Sequence, residues 1–239
     1  MASPAGTLAT GVVRIPMMGD FINSYAFLED DGSVTLVDCG LDRAPARIVA
    51  GLQAVGRHPR DVQRIVLTHA HYDHAGGALT MLEQTGLAGI EAHADDAGFL
   101  RTGTNPPVDT STTSGRLFAR SGGGTFRAVP VSRELRDGDV IDVAGGLRVI
   151  HTPGHTPGHI SLLHGSSGVL ITGDSIFNLR ALRTWPFAAF CTDFAQCKRT
   201  AGILGDLEFT IAAFTHGPEI RTRAREEIRR FLTRKGVRA

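Results

Sequence analysis

Ten residues in the first third of the chain, THAHYDHAGG at 68–77, concentrate side chains that bind metals and transfer protons. In an extended backbone, side chains two residues apart face the same side, so His69 and His71 can reach one point. Asp73 and His74 are adjacent and must diverge, which directs that pair toward a second point nearby. This arrangement favours two metal ions over one. Imidazole nitrogen and carboxylate oxygen suit zinc best, and suit iron or manganese to a lesser degree.

A second histidine-rich segment, HTPGHTPGH at 151–159, contains three histidines spaced by four. The Pro-Gly pairs between them forbid a regular helix, so this spacing does not place the imidazoles on one helical face. At most one or two of the three can reach a common metal. Position alone leaves the choice open among His151, His155 and His159.

Two more candidate ligands follow apolar, strand-like segments. Asp174 comes after GVLITG, where its carboxylate would be a buried charge unless a cation pairs with it. A carboxylate that bridges two metals would meet that requirement, and His216, after FTIAAFT, would complete the second metal's shell. If these strands share a sheet edge with the segments before His69 and His155, the side chains converge at one place.

Other residues have plainer interpretations. A lone histidine near a strand end is more often a hydrogen-bonded structural residue than a ligand, and this reading applies to His58, His93, His151 and His164. His159 is balanced between that role and supporting a ligand from behind. The aromatic residues Trp185, Phe187 and Phe190 could line a pocket with the loop at 102–125, but such residues more often pack, and no role is assigned to them.

The periodicities predict a mixed α/β chain in which strands and helices alternate through short connections. We expect one domain over 1–239, with an irregular loop insertion at 102–125 that is rich in Gly, Ser, Thr and Pro. A strand is expected at FRAVPV (126–131), irregular chain at 175–190, and a basic helix at 219–235. Apolar residues at helical spacing in that last segment favour a solvated helix face over a binding patch.

The charge and composition of the chain favour a small-molecule partner over nucleic acid or a membrane. The 239 residues carry a net charge of +1 and are 42% hydrophobic. The last 21 residues hold eight Lys/Arg against three Glu, so the first 218 sum to about −4, and neither nucleic acid nor membrane is favoured. Three irregularly spaced cysteines exclude a disulfide framework, and no signal or membrane-spanning segment is visible. We expect a cytoplasmic protein with a small-molecule substrate.

Together the motifs resemble the metallo-beta-lactamase superfamily of dinuclear metal hydrolases. THAHYDHAGG is similar to the HxHxDH signature, TPGHTPGH to the second histidine motif, ITGDSIF to the bridging-aspartate motif and THGP to the final histidine motif. The similarity extends from residue 23 to residue 216. It implies a four-layer αβ/βα sandwich of two similar halves with the metals at the shared sheet edge.

The resemblance also implies a role for each candidate. His69, His71 and His155 would bind the first of two divalent ions, Asp73, His74 and His216 the second, and Asp174 would bridge them. Asp38, in LVDCG, matches an aspartate that supports the site from behind. Its alternative interpretation is an ordinary turn residue at a strand end.

Departures from the family pattern narrow the activity. True β-lactamases of this superfamily usually carry cysteine or serine where Asp174 stands. The ligands are closest to the glyoxalase II-like branch, but SIFNLRALRTWPFAAF lacks the basic, tyrosine-bearing glutathione segment of those enzymes, and Phe177 stands where acyl-homoserine lactonases place a tyrosine. The prediction is a metal-bound hydroxide that attacks an ester, thioester or lactone carbonyl, with Asp73 as the catalytic residue that orients it and accepts its proton. The alternatives are a mononuclear iron sulfur dioxygenase, or a phosphodiesterase on the same metal site.

Overall fold

A seven-stranded sheet forms the first half of the chain. The computed structural model describes residues 4–111, 113–120, 124–179 and 182–237. The sheet has the order β1 to β7, antiparallel from β1 to β4 and parallel from β4 to β7. Its strands are β1 (Gly6–Ala9), β2 (Val12–Met17), β3 (Ile22–Leu28), β4 (Val34–Val37), β5 (Val62–Val66), β6 (Ile90–His93) and β7 (Val131–Leu135).

A five-stranded sheet forms most of the second half, in the order β14-β11-β10-β9-β8. Only its β11–β14 pair is parallel, and a separate two-stranded hairpin, β12–β13, follows β11 in sequence. The strands are β8 (Val140–Ile141), β9 (Leu147–His151), β10 (Ile160–His164), β11 (Val169–Ile171), β12 (Phe177–Leu179), β13 (Leu182–Thr184) and β14 (Ile211–Ala213).

The helices are short, and within the described residues none is long and apolar enough to cross a bilayer. The α-helices are α1 (Pro45–Ala54), α2 (Tyr72–Ala75), α3 (Ala78–Thr85), α4 (Ala94–Thr102), α5 (Thr113–Arg120), α6 (Phe194–Thr200) and α7 (Ala224–Arg234). Single 3-10 turns occupy Pro59–Asp61, Gly173–Ser175, Ala188–Phe190 and Ala201–Gly205.

Three apolar clusters separate four layers. On β4, Leu36 faces the helices α1 and α3, whereas the next residue, Val37, faces the second sheet. On β11, Ile171 faces the first sheet, whereas its neighbour Leu170 packs with Phe231 of α7. Successive side chains of a strand therefore pack in different clusters, because they point to opposite faces of the sheet. The order helices, sheet, sheet, helix is the predicted αβ/βα sandwich.

Two segments expected to be irregular contain regular structure. Within 102–125, residues 113–120 form α5, which packs against the 3-10 turn at 188–190. The prediction of a wholly irregular insertion is therefore wrong: the helix is too short to show a sustained period, and contact with a distant segment supports it. Residues 112 and 121–123 of this insertion lie outside the described residues. In 175–190, the hairpin β12–β13 was also missed, and residues 180 and 181 lie outside the described part.

Two element boundaries also differ from the predictions. The strand expected at 126–131 begins only at Val131. Most of its residues are exposed, because β7 lies at the edge of its sheet, and its sequence therefore shows little alternation of apolar and polar residues. The terminal helix begins at Ala224 rather than 219, because Ile220 is held extended by a β-bridge to Ala212. On α7, Ile228 is fully buried and the arginines lie outward.

Buried polar contacts connect β3 to the turn that follows β14. The Asn23 side-chain amide donates to the carbonyl oxygens of Phe214 (2.9 Å) and Gly217 (2.8 Å). The Tyr25 hydroxyl donates to the same Phe214 carbonyl at 2.5 Å. Gly217 itself has a φ of +106° and lies against the backbone of Asn178, so this turn requires glycine.

Replacing Gly217 by alanine should lower the free energy of unfolding by at least about 1–3 kcal/mol, because the backbone would be strained and the new Cβ would clash with the Asn178 carbonyl. The matched control is Gly98→Ala in α4, where a Cβ meets open space and the helix should gain up to about 1 kcal/mol. Urea denaturation followed by circular dichroism measures both. Equal stability of Gly217→Ala and the wild type would contradict this account of the turn.

Candidate metal centre

Four segments bring the predicted site residues to one end of the sandwich. His69 and His71 follow β5, and His155 lies in the loop between β9 and β10. Asp174 and His216 each lie three residues beyond a paired position, because Ile171 of β11 is level with Ala213 of β14. The parallel register therefore places these two side chains at the same height.

One set of donor atoms comes from three histidines. The His71 Nδ1 and His155 Nε2 atoms are 2.9 Å apart, and a nitrogen of His69 lies within 4.8 Å of both. All three rings are buried. Three nitrogens this close can coordinate a single ion, and we call these residues the first donor set.

A second set comes from Asp73, His74 and His216. The Asp73 Oδ2 atom is 3.4 Å from His216 Nε2 and 3.7 Å from His74 Nε2. His74 and His216 are buried, and the Asp73 side chain is partly exposed toward a cavity. We call these residues the second donor set.

The Asp174 carboxylate lies between the two sets. Its Oδ2 atom is 3.2 Å from His155 Nε2 and 3.3 Å from His216 Nε2, and its Oδ1 atom is 3.4 Å from His74 Nε2. Oδ1 also accepts a hydrogen bond from the Thr215 hydroxyl at 2.6 Å. The structure thus brings together all seven side chains predicted from the sequence.

Mutual electrostatics shift the protonation of the cluster. Burial, reinforced by the nearby His155, lowers the pKa of His71 to about 3, which leaves its ring neutral and able to coordinate. Burial also opposes charge on His74, but the carboxylates of Asp174 and Asp73 outweigh it and raise its pKa to about 9. Burial likewise opposes charge on Asp73, yet His74 and His216 hold its pKa at about 2.

The cluster fits metal cations. The Nε2 atoms of His69 and His74 are buried and have no hydrogen-bond partner, although buried nitrogens are normally paired. Both are aimed at Asp174, with His69 Nε2 at 3.9 Å and His74 Nε2 at 3.4 Å from its oxygens. Bound cations would compensate for the buried carboxylate and would occupy these two nitrogens in place of a proton. The donor set of nitrogen and oxygen without sulfur suits zinc, iron or manganese.

The Nδ1 atoms of His74 and His216, which face away from Asp174, are each held by an outer partner. Asp38 Oδ2 accepts from His74 Nδ1 at 2.9 Å and from the Thr68 hydroxyl at 2.8 Å, while its Oδ1 accepts from the Thr68 backbone N–H. Asp38 thus supports the site from behind rather than serving only as a turn residue. The Phe21 carbonyl accepts from His216 Nδ1 at 2.7 Å. No local pattern signals that contact, because 195 positions separate the two residues.

Two further supports lie behind Asp174 and His155. His159 does not face the donors: its Nδ1 contacts Thr152, and its Nε2 accepts the Asp174 backbone N–H at 2.7 Å. The Cys191 sulfur lies 3.5 Å from His155 Nδ1. A hydrogen bond with Cys197 and burial raise the pKa of Cys191, so this partner remains a neutral thiol.

The other histidines act structurally. His164 is hydrogen-bonded through both nitrogens, to Ser167 and to the Ala144 carbonyl, and His58 is exposed. His93 and His151 lie near Asp95, but their rings stack 3.9 Å apart at 16°. Parallel rings direct their lone pairs side by side rather than at one point, so this group is poorly arranged for an ion.

A cavity of about 580 Å³ opens onto the donors. Asp73 and Asp174 contribute to its floor, and Phe177, Phe187 and Phe190 to one wall. Phe21, Tyr72 and residues from both ends of the 102–125 insertion line the rest of the cavity. Two of the three aromatic residues that were given no role therefore line the cavity. The third, Trp185, packs against Phe231 instead.

Comparisons with known proteins agree with this geometry. The Metallo-beta-lactamase superfamily matches residues 18–235. The chain is 31% identical to an uncharacterized protein, YobT, of Bacillus subtilis over 84% of this chain and 85% of that protein. It is also 31% identical to a hydroxyacylglutathione hydrolase of Acidiphilium cryptum, over 70% of this chain and 54% of that enzyme.

A solved metallo-beta-lactamase family protein from Thermus thermophilus superposes with a TM-score of 0.72 at 26% identity, over 96% of this chain and 81% of that one. The matched region contains both donor sets and the strands that carry them. The resemblance noted in the sequence motifs is confirmed by these matches. This chain belongs to the metallo-beta-lactamase superfamily.

Proposed function

We propose that this protein uses two divalent metal ions to hydrolyse an ester, thioester or lactone bond in a small molecule. Its class, a metal-dependent hydrolase, follows from its superfamily. One observation carries the finer proposal: two separate donor sets share the Asp174 carboxylate, which lies 3.2 Å from a nitrogen of one set and 3.3 Å from a nitrogen of the other. A single ion would leave one set without a partner.

Zinc is the metal that the donors favour, with iron and manganese as alternatives. Divalent ions supply water that is activated at neutral pH and a Lewis acid for a carbonyl oxygen. Structural zinc sites are normally closed and often rich in cysteine. Here the donors are nitrogen and oxygen, and the cavity gives a substrate access to them.

Asp73 is the proposed catalytic residue. Its carboxylate is 20% exposed and lines the cavity, so it can accept a hydrogen bond from the attacking water. The low pKa that His74 and His216 impose keeps it ionised, which favours orienting the water over storing its proton. Asp174 is 4% exposed and hydrogen-bonded to Thr215, and is therefore better placed to hold the metals than to meet substrate.

The shape and polarity of the cavity support a substrate with an apolar substituent. Phe177, Phe187 and Phe190 form one wall, and the other apolar lining residues include Phe21, Pro106, Pro107 and Val108. Among the described lining residues there is no lysine or arginine to pair with an anionic group. By its name, the relative hydroxyacylglutathione hydrolase hydrolyses an acylated glutathione, and we propose that this protein also cleaves an acyl bond, in a less charged substrate.

Two other activities would use the same residues, namely a mononuclear iron dioxygenase and a phosphodiesterase. The shared carboxylate and the second donor set favour two ions, which the dioxygenase would not need. Metal content and oxygen consumption separate the dioxygenase from the hydrolase. A substrate panel of thioesters, lactones and phosphodiesters separates the two hydrolytic reactions.

Replacing His71 by alanine should remove about one metal equivalent and lower kcat/KM on activated esters by at least about 100-fold, because the first donor set loses one nitrogen. The measurements are metal analysis by mass spectrometry and steady-state kinetics of the zinc-reconstituted protein. The exposed His58→Ala is the matched control and should leave both values unchanged. Full activity of His71→Ala at one metal equivalent fewer would refute the dinuclear mechanism.

Replacing Phe187 by alanine should lower kcat/KM about 10-fold for long-chain acyl esters and much less for acetate esters, because the aromatic wall contacts only the longer chain. Metal content should not change. Ile203→Ala, an exposed apolar residue away from the cavity lining, is the control. An equal loss for every chain length would show that Phe187 does not contact the acyl group.

A further inference from the structure

Asp96 is a buried carboxylate that neither donor set uses. It lies on α4 and is fully inaccessible to solvent. Its Oδ2 atom accepts hydrogen bonds from the Ala70 backbone N–H at 2.8 Å and from the Thr156 hydroxyl at 2.7 Å. Its Oδ1 atom accepts from the Gly158 backbone N–H at 2.7 Å. A carboxylate kept from water needs such donors to offset its lost solvation.

The three donors belong to the two segments that carry the first donor set. Ala70 lies between His69 and His71, and Thr156 directly follows His155. The first segment follows a strand of the seven-stranded sheet, whereas the second connects two strands of the five-stranded sheet. Asp96 thus bridges the two halves of the sandwich beside the point where the His71 and His155 nitrogens approach to 2.9 Å.

We propose that Asp96 is a positioning residue that sets the separation of these two segments and thereby the geometry of the first donor set. The role is specific, because the hydrogen bonds that Asp96 accepts come from residues beside His71 and His155 and from none in the second donor set. The outer partners of that second set are Asp38 and the Phe21 carbonyl. The inference rests on the proposed metal-binding function and adds a residue that controls it.

A carboxylate is the group that suits this position. Its two oxygens accept all three hydrogen bonds, whereas an asparagine would present an N–H₂ group to at least one N–H or O–H donor. The 155–159 loop lies directly against α4, because a Cβ at Gly158 would collide with the Asp96 backbone nitrogen. The same loop is braced a second time, because His151 Nε2 donates to the Pro157 carbonyl at 2.9 Å while its ring stacks on His93.

The test compares Asp96→Asn with Asp95→Asn, a neighbour on the same helix whose side chain is 57% exposed. Zinc affinity is measured by competition with a chelator, and the Co²⁺-substituted proteins are compared by absorption spectroscopy. The equivalent lost in His71→Ala identifies the first donor set. In Asp96→Asn that equivalent should bind about 10–100-fold more weakly with an altered Co²⁺ spectrum, while the other equivalent is retained. Asp95→Asn should match the wild type.

A purely structural role would lower thermal stability and weaken both equivalents alike, and that result would overturn the proposal, as would wild-type affinity in Asp96→Asn. If Asp96→Asn does not fold, Thr156→Val decides the question, because it removes one of the three bonds at nearly constant volume. It should weaken the first equivalent selectively, and unchanged affinity would overturn the proposal. If the proposed two-metal function were itself wrong, the wild type would bind fewer than two equivalents of zinc, which is a different result from a selective loss in the variants.

Discussion

The organisation of this protein depends on a negative charge held out of water at the junction of two sheets. The Asp174 side chain is 4% exposed, and nitrogens of four histidines surround its oxygens at 3.2 to 3.9 Å. A buried carboxylate is costly unless cations compensate for it, so its surroundings must supply either protonated imidazoles or metal ions. The imidazoles come from three other segments of the chain. The convergence of those segments therefore allows the Asp174 carboxylate to be buried.

Most donors are held in orientation by a partner on the side away from the centre. The second nitrogen of His74 bonds to Asp38, and that of His216 bonds to the Phe21 carbonyl. Each such contact selects one tautomer and one ring orientation, which leaves the other nitrogen free to face the centre. The Asp174 backbone is held in the same way by His159. Much of the polar network in this region thus serves orientation rather than direct chemistry.

The cavity places an apolar surface beside the metal donors. Its floor is polar and carries the donors, whereas its walls are largely aromatic and aliphatic. The walls come from the 102–125 insertion and from the segment around 187–190, which pack against each other through α5. The donors lie at sheet ends that a common core fixes, whereas the insertion and the segment around 187–190 connect strands. We therefore expect changes in these two segments to alter substrate preference more than metal binding.

The sequence by itself predicted the donor residues, and the resemblance of its motifs to a known superfamily implied the order of the layers. HAHYDH places four donors within six residues, and strand-like segments before Asp174 and His216 already predict that these residues meet at a sheet edge. Such features are local, because they depend on residue type and on a period of two or 3.6. Residue spacing left the choice among three histidines open, and the family resemblance pointed to His155. Tertiary structure alone gave Asp38 and Asp96 their partners and turned 113–120 into a helix. Those outcomes depend on contacts between residues that lie far apart in the chain, and no local pattern encodes the direction in which such a side chain finally points.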